Sequence, residues 1–159
     1  MKIYFMAGMR GQGKYIEVYE LIYKYLEELR YQVIDKVVLE KKSSEFYKEL
    51  EKGGDVAFQN FYTRVMNNIK SADVNVFECS IPSLGLGYQV QKSIDFNKPT
   101  IVLYEGENLP HFLAGSQDDR FIMKKYTQDN LKKVLEEALE EAKERSDKRF
   151  NFFISPKLL

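Results

Sequence analysis

Two glycine-bearing stretches hold the residues whose types and spacing could do chemistry. Gly8-Met9-Arg10-Gly11-Gln12-Gly13-Lys14 lies between an apolar run and a segment of helical periodicity. Glycines let backbone N–H groups at a helix start approach an anion, and Arg10 or Lys14 adds positive charge, which suits a phosphate. The stretch also matches most of a P-loop: glycine, four residues, glycine, lysine. Tyr15, however, stands where serine or threonine would ligate magnesium. A P-loop-like NTPase or nucleotide kinase using Gly8–Lys14, with Glu78 as its strand-end carboxylate, is one reading, and a tight turn with no ligand is another. The second stretch, Cys79 to Gln89, puts Ser83, Gly85 and Gly87 at the start of a helix. There Ser83 could donate to a phosphate or ribose oxygen beside free N–H groups, or it could simply cap the helix. Cys79 reads as a small residue against the core, and His111, next to Pro110, as a surface histidine.

These loops need a scaffold, and the composition bounds it. The chain has 159 residues, 44% hydrophobic and 30% charged, which fits one domain spanning 1–159. Lys+Arg and Asp+Glu each total 24, so no electrostatic footprint points to nucleic acid or a membrane surface. A lone cysteine and a lone histidine exclude a disulfide framework and a Cys/His zinc site, and no metal or cofactor is expected. The apolar run at the N-terminus is too short for a signal peptide or a membrane span, so a soluble cytoplasmic protein is expected.

Periodicity predicts a strand at Ile3–Ala7, a helix at Lys14–Arg30 and a strand at Gln32–Leu39, bent near Asp35. A short helix follows from Ser43 or Ser44 to about Lys52, then a Gly53-Gly54 turn and a helix over Val56–Lys70. Val74–Glu78 is a strand, Gly85–Phe96 a helix, Thr100–Tyr104 a strand and Glu105–Asp119 a loop. Phe121–Met123 reads as a last short strand, and Thr127 or Asp129 opens a helix to about Arg149. The apolar tail Phe150–Ile154 is expected to pack on its own domain or across a subunit interface. Strands alternating with helices predict an α/β three-layer sandwich with a mostly parallel, about five-stranded flavodoxin-like or Rossmann-like sheet. Ligands of such sheets sit at the carboxyl ends of the strands, where both glycine stretches fall.

The words "KIYFMAGMRG", "ADVNVF", "ECSIPSLGLGYQ", "KPTIVLY" and "DDRF" occur in that order from Lys2 to about Tyr126. Together they resemble the nucleoside 2-deoxyribosyltransferase superfamily, nearest to its 2'-deoxynucleoside 5'-phosphate N-hydrolase branch. The family pattern is a strand ending in Gly-Ser-Ile-Arg-Gly, then Ala-Asp, a strand ending in Glu, and Pro-Ser-Leu-Gly-Val-Gly-Tyr-Glu. The resemblance implies N-glycosidic cleavage of nucleosides or their monophosphates, in which the last glutamate attacks the anomeric carbon. It places Tyr4 near the nucleophile, Gly8, Arg10 and Gly11 along the nucleotide, and Ser83, Gly85 and Gly87 in the 5'-phosphate loop. It also implies a homodimer.

Three positions depart from the pattern. The nucleophile position is Gln89, a neutral amide. The family aspartate eight residues before the Asp73 position falls on Val65, which can transfer no proton. A family serine supplied by the partner subunit near the phosphate falls on Asp119, whose charge would repel that phosphate. Glu78 reads as a supporting group beside the nucleophile. The expectation is a nucleotide-binding protein with a degenerate site, its ligand a nucleoside or nucleoside monophosphate.

Overall fold

The computed structural model describes the backbone of residues 1–154 and the side chains of residues 1–146. The first strand, β1 (Lys2–Ala7), is buried from Ile3 onward, as its continuous apolar run requires of a central parallel strand. A 3-10 turn at Met9–Gly11 leads into α1 (Gln12–Glu28), followed by β2 (Gln32–Val33), α2 (Val37–Glu40) and α3 (Ser43–Ser71). Then come β3 (Val74–Glu78), α4 (Leu84–Asp95), β4 (Thr100–Glu105), α5 (His111–Ala114), β5 (Phe121–Tyr126) and α6 (Leu131–Ile154). The strand order is β2-β1-β3-β4-β5 and every pairing is parallel, so the fold is the expected three-layer α/β sandwich.

The register assigns faces. Ile3 pairs with Val74 and Ala7 with Glu78, so Tyr4, Met6, Asn75 and Phe77 point to one side of the sheet. That side meets α3 and α4: Tyr4 bonds Gln89, and Asn75 donates to Ser93 Oγ at 2.8 Å. Phe5, Ala7, Val76 and Glu78 point to the other side, where Phe5 packs edge-on against Tyr19 of α1. Lys124 of β5 pairs there with Glu141 of α6.

Several boundaries differ from those predicted. The expected strand Gln32–Leu39 is paired only at Gln32–Val33, and Val37–Glu40 is a helical turn. The cause is Asp35, whose carboxylate accepts the Val37 N–H at 2.9 Å and turns the chain despite two β-branched valines. The expected loop Glu105–Asp119 contains the turn α5, and β5 runs three residues further than expected, to Tyr126. The Gly53-Gly54 turn is present as a break inside α3, where Gly54 has φ 58° and ψ −151°. Thr127 caps a short 3-10 turn ahead of α6 and draws its own N–H onto Asn130 Oδ1 at 2.7 Å. The backbone of Phe150–Ile154 continues α6, and the expected packing of that tail falls on side chains outside those described.

Candidate functional site

The strand order reverses between β1 and β3: the chain leaves β1 toward β2 on one side, and β3 lies on the other. Both glycine stretches follow the carboxyl ends of these two strands, so they meet in one crevice. The turn after β1 is tight. Gly11 N–H reaches Gly8 C=O at 2.8 Å, and a Cβ on Gly11 would collide with the Tyr19 hydroxyl and lie 3.0 Å from Ile81 Cγ1. Gly11 is therefore glycine because the loop after β3 packs directly on it.

The loop after β3 ends at Ser83, the N-cap of α4, whose Oγ accepts from Leu86 N–H at 3.3 Å. The Leu84 and Gly85 N–H groups of the first turn have no helical carbonyl to meet. A Cβ on Gly85 or Gly87 would meet nothing within 4 Å, and neither residue has a positive φ. No contact among the described residues requires glycine at either place, although alanine favours a helix by up to ~1 kcal/mol. The open space lies over the helix start, where an anion would sit.

The crevice encloses a cavity of about 450 Å³. Gly8, Arg10, Ser83, Gly85 and Gln89 line it, and Phe46, Tyr47 and Phe61 from α3 form an aromatic wall. Phe46 meets Tyr47 and Phe61 edge-on, with ring centroids 5.6 and 5.0 Å apart. Arg10, the one charged residue in the lining among the described residues, holds its guanidinium 5.7 Å from the Tyr47 ring centroid. Gln12 braces this wall: its Nε2 donates to the Val38 and Lys41 carbonyls at 2.6 and 2.7 Å, and its Oε1 accepts from Ser43 N–H at 2.6 Å.

At the floor, the Tyr4 hydroxyl donates to Gln89 Oε1 at 3.2 Å, with both residues buried. Burial, reinforced by the charge of Asp35 and opposed by Arg64, pushes the Tyr4 hydroxyl far above the ordinary tyrosine range. Tyr4 is thus a permanent hydrogen-bond donor. Asp35 itself is buried and fully engaged: Arg64 donates to it through Nε and Nη2 at 2.9 and 2.7 Å, and Asn68 at 2.6 Å. The sequence reading missed this cluster and the aromatic wall, because their contacts join elements with no shared spacing pattern.

The remaining candidates are outside the cavity lining. Val65 is buried in the core. Glu78, also buried, points to the opposite face of the sheet from Gln89, so the family-based picture of a group beside the nucleophile gives way to one behind the sheet. Its Oε1 accepts from Ser80 N–H and the Tyr126 hydroxyl, both at 3.0 Å, and from Ser80 Oγ. Its Oε2 has no hydrogen-bond partner among the described residues. Lys14 is outside the cavity lining and lies over the Tyr15 ring, 4.8 Å from its centroid. Asp119 is exposed just before β5, at the amino end of the strands and away from the crevice. Cys79 and His111 line a second cavity of about 350 Å³ on the far side of Ser83. Burial raises the Cys79 thiol well above its usual value, which keeps it protonated.

A parallel sheet with a helix start, a cation and an aromatic wall around the cavity at its switch point defines an α/β protein whose crevice suits an anionic ligand with a flat ring. No family model matches the chain. A protein of Thermofilum pendens, named by inference 2'-deoxynucleoside 5'-phosphate N-hydrolase 1, is 30% identical over 147 residues, 92% of this chain and 93% of that protein. The 5-hydroxymethyl-dUMP N-hydrolase of Danio rerio is 29% identical over 88% of this chain and 96% of its own length. The structure of Clostridium botulinum CMP N-glycosidase, BcmB, superposes with a TM-score of 0.53 at 17% identity, over 88% of this chain and 99% of that one, which shows the shared fold. The chain belongs to the 2'-deoxynucleoside 5'-phosphate N-hydrolase family.

Proposed function

We propose that this member of the family holds a nucleoside 5'-monophosphate in the crevice and does not cleave it efficiently. The observation that carries the reading is Gln89, an amide bonded to Tyr4 in a cavity whose lining, among the described residues, contains no carboxylate. Departure of a base leaves positive charge at the anomeric carbon, which a carboxylate captures or stabilises and a neutral amide does not. Loss of a catalytic acid or base alone costs ~10² to 10⁴-fold in rate.

The relatives' names speak of 5-hydroxymethyl-dUMP and 2'-deoxynucleoside 5'-phosphates, and that of the fold neighbour speaks of CMP. A monophosphate suits this crevice as well: the phosphate on Ser83 and the start of α4, Arg10 nearby, the base against Phe46, Tyr47 and Phe61. No cofactor or metal enters the reading.

The same reading makes the protein a homodimer in a reducing cytoplasm. Phe58 and Tyr62 of α3 and Leu84 and Tyr88 of α4 are exposed, each pair four residues apart, and the Tyr62 and Tyr88 hydroxyls are 3.1 Å from each other. An apolar face of this kind beside a ligand site favours a second copy.

Calorimetry with a panel of nucleosides and their monophosphates, followed by assay of free base, tests the function. Saturable binding of monophosphates with no base released is expected, and robust turnover would sink the reading.

A further inference from the structure

The geometry points to Gln89 as the group that reads the sugar, selecting a ribonucleotide with its 2'-hydroxyl over the 2'-deoxynucleotide. The inference rests on the proposal that the crevice binds a nucleoside monophosphate. It begins with the orientation of one amide. The Tyr4 hydroxyl donates to Gln89 Oε1 at 3.2 Å, and Tyr4 is wholly buried, so the carbonyl side of the amide is turned to the strand. The other side of the amide, Nε2 with its two hydrogens, is left for the cavity that Gln89 lines. A position suited to a carboxylate acceptor thus presents a donor.

Sugar stereochemistry says what that donor meets. The base of a natural nucleotide stands on the β face of the ring, so a group placed to displace it approaches the anomeric carbon from the α face. A ribonucleotide carries its 2'-oxygen on that face, one carbon from the reacting centre, and the 3'-oxygen lies a carbon further on. The 2'-oxygen can accept from Nε2, whereas a 2'-deoxy sugar offers only C–H and leaves that donor of a buried side chain unpaired. A site built to hydrogen-bond a ligand oxygen discriminates against the analogue lacking it, here by roughly tenfold or more. With no carboxylate beside the anomeric carbon, the sugar that is recognised is also left intact.

The experiment is titration calorimetry of the full-length protein with matched pairs: CMP and dCMP, UMP and dUMP, AMP and dAMP, GMP and dGMP. For every base that binds, the ribonucleotide is expected to be about tenfold or more tighter. In Gln89→Met, which keeps the volume and removes the donor, that ratio should collapse toward one, with Gln89→Ala as the second variant should the first fail to fold. Equal affinities within each wild-type pair, a preference for the deoxy partner, or a ratio unmoved by the variant would overturn the assignment. Failure of all eight ligands to bind would instead overturn the nucleotide-binding proposal on which it stands.

Discussion

Glu78 is the most deeply buried carboxylate among the described residues, and it faces away from the crevice. Burial raises its carboxyl above the ordinary glutamate value of 4.5, the hydrogen bonds from Ser80 and Tyr126 pull it partway back, and Glu105 adds a smaller push upward. The folded state therefore holds this proton more tightly than the unfolded chain does. Its contribution to stability is complete below pH 4.5 and declines as pH rises through the raised folded value. Glu78→Gln, neutral at every pH, should flatten that decline: melting temperatures at pH 5 and pH 8 should differ less in the variant than in the wild type. Gly85 makes the converse case, a residue whose cost has no structural return. Gly85→Ala should raise unfolding stability by up to ~1 kcal/mol, read by thermal melts, while weakening monophosphate binding read by calorimetry. A variant that gained stability and kept full affinity would remove Gly85 from the anion site.

At the scale of elements, α3 carries the aromatic wall on a helix broken at Gly54. Backbone at φ 58° and ψ −151° is open to glycine alone. Gly54→Ala should lower stability by about 1–3 kcal/mol in urea titrations, although its Cβ would meet no neighbouring atom. Much at this scale was legible in the sequence: the strands β1, β3 and β4, the start of α4 at its serine cap, and the Gly53-Gly54 break. The exceptions share a cause. Val37 and Val38 suggest a strand, but Asp35 captures the next turn, and what holds Asp35 is Arg64 and Asn68, which are 29 and 33 positions away. Periodicity is blind to contacts of that range. The side of the sheet to which Glu78 belongs is a matter of strand parity, legible only once its register with β1 is known.

For the whole molecule, parallel order 2-1-3-4-5 leaves one reversal point among the described strands, and the order of motifs in the sequence leads to it. The two loops were legible because they follow strand ends, whereas the nearness of Tyr4 in β1 to Gln89 in α4 was implied by the family resemblance alone. The aromatic wall of the site and the brace of Gln12 were not legible, since they arise from helix packing. The exposed stripe Phe58, Tyr62, Leu84 and Tyr88 sets the prediction at this scale. Analytical ultracentrifugation should give the mass of two chains, and Leu84→Lys with Tyr88→Lys should shift it to one. A monomeric wild type at micromolar concentration would leave that face without its proposed partner.

Ser83 caps α4, and its geometry leaves room for the proposed phosphate contact as well. A hydroxyl has one hydrogen and two lone pairs. The Leu86 N–H takes a lone pair, which orients the oxygen and leaves its hydrogen free to turn toward an incoming anion. Under the proposed function the phosphate receptor is thus assembled by folding, before any ligand arrives. Binding there asks for no new rotamer at Ser83, so little affinity is lost to ordering it.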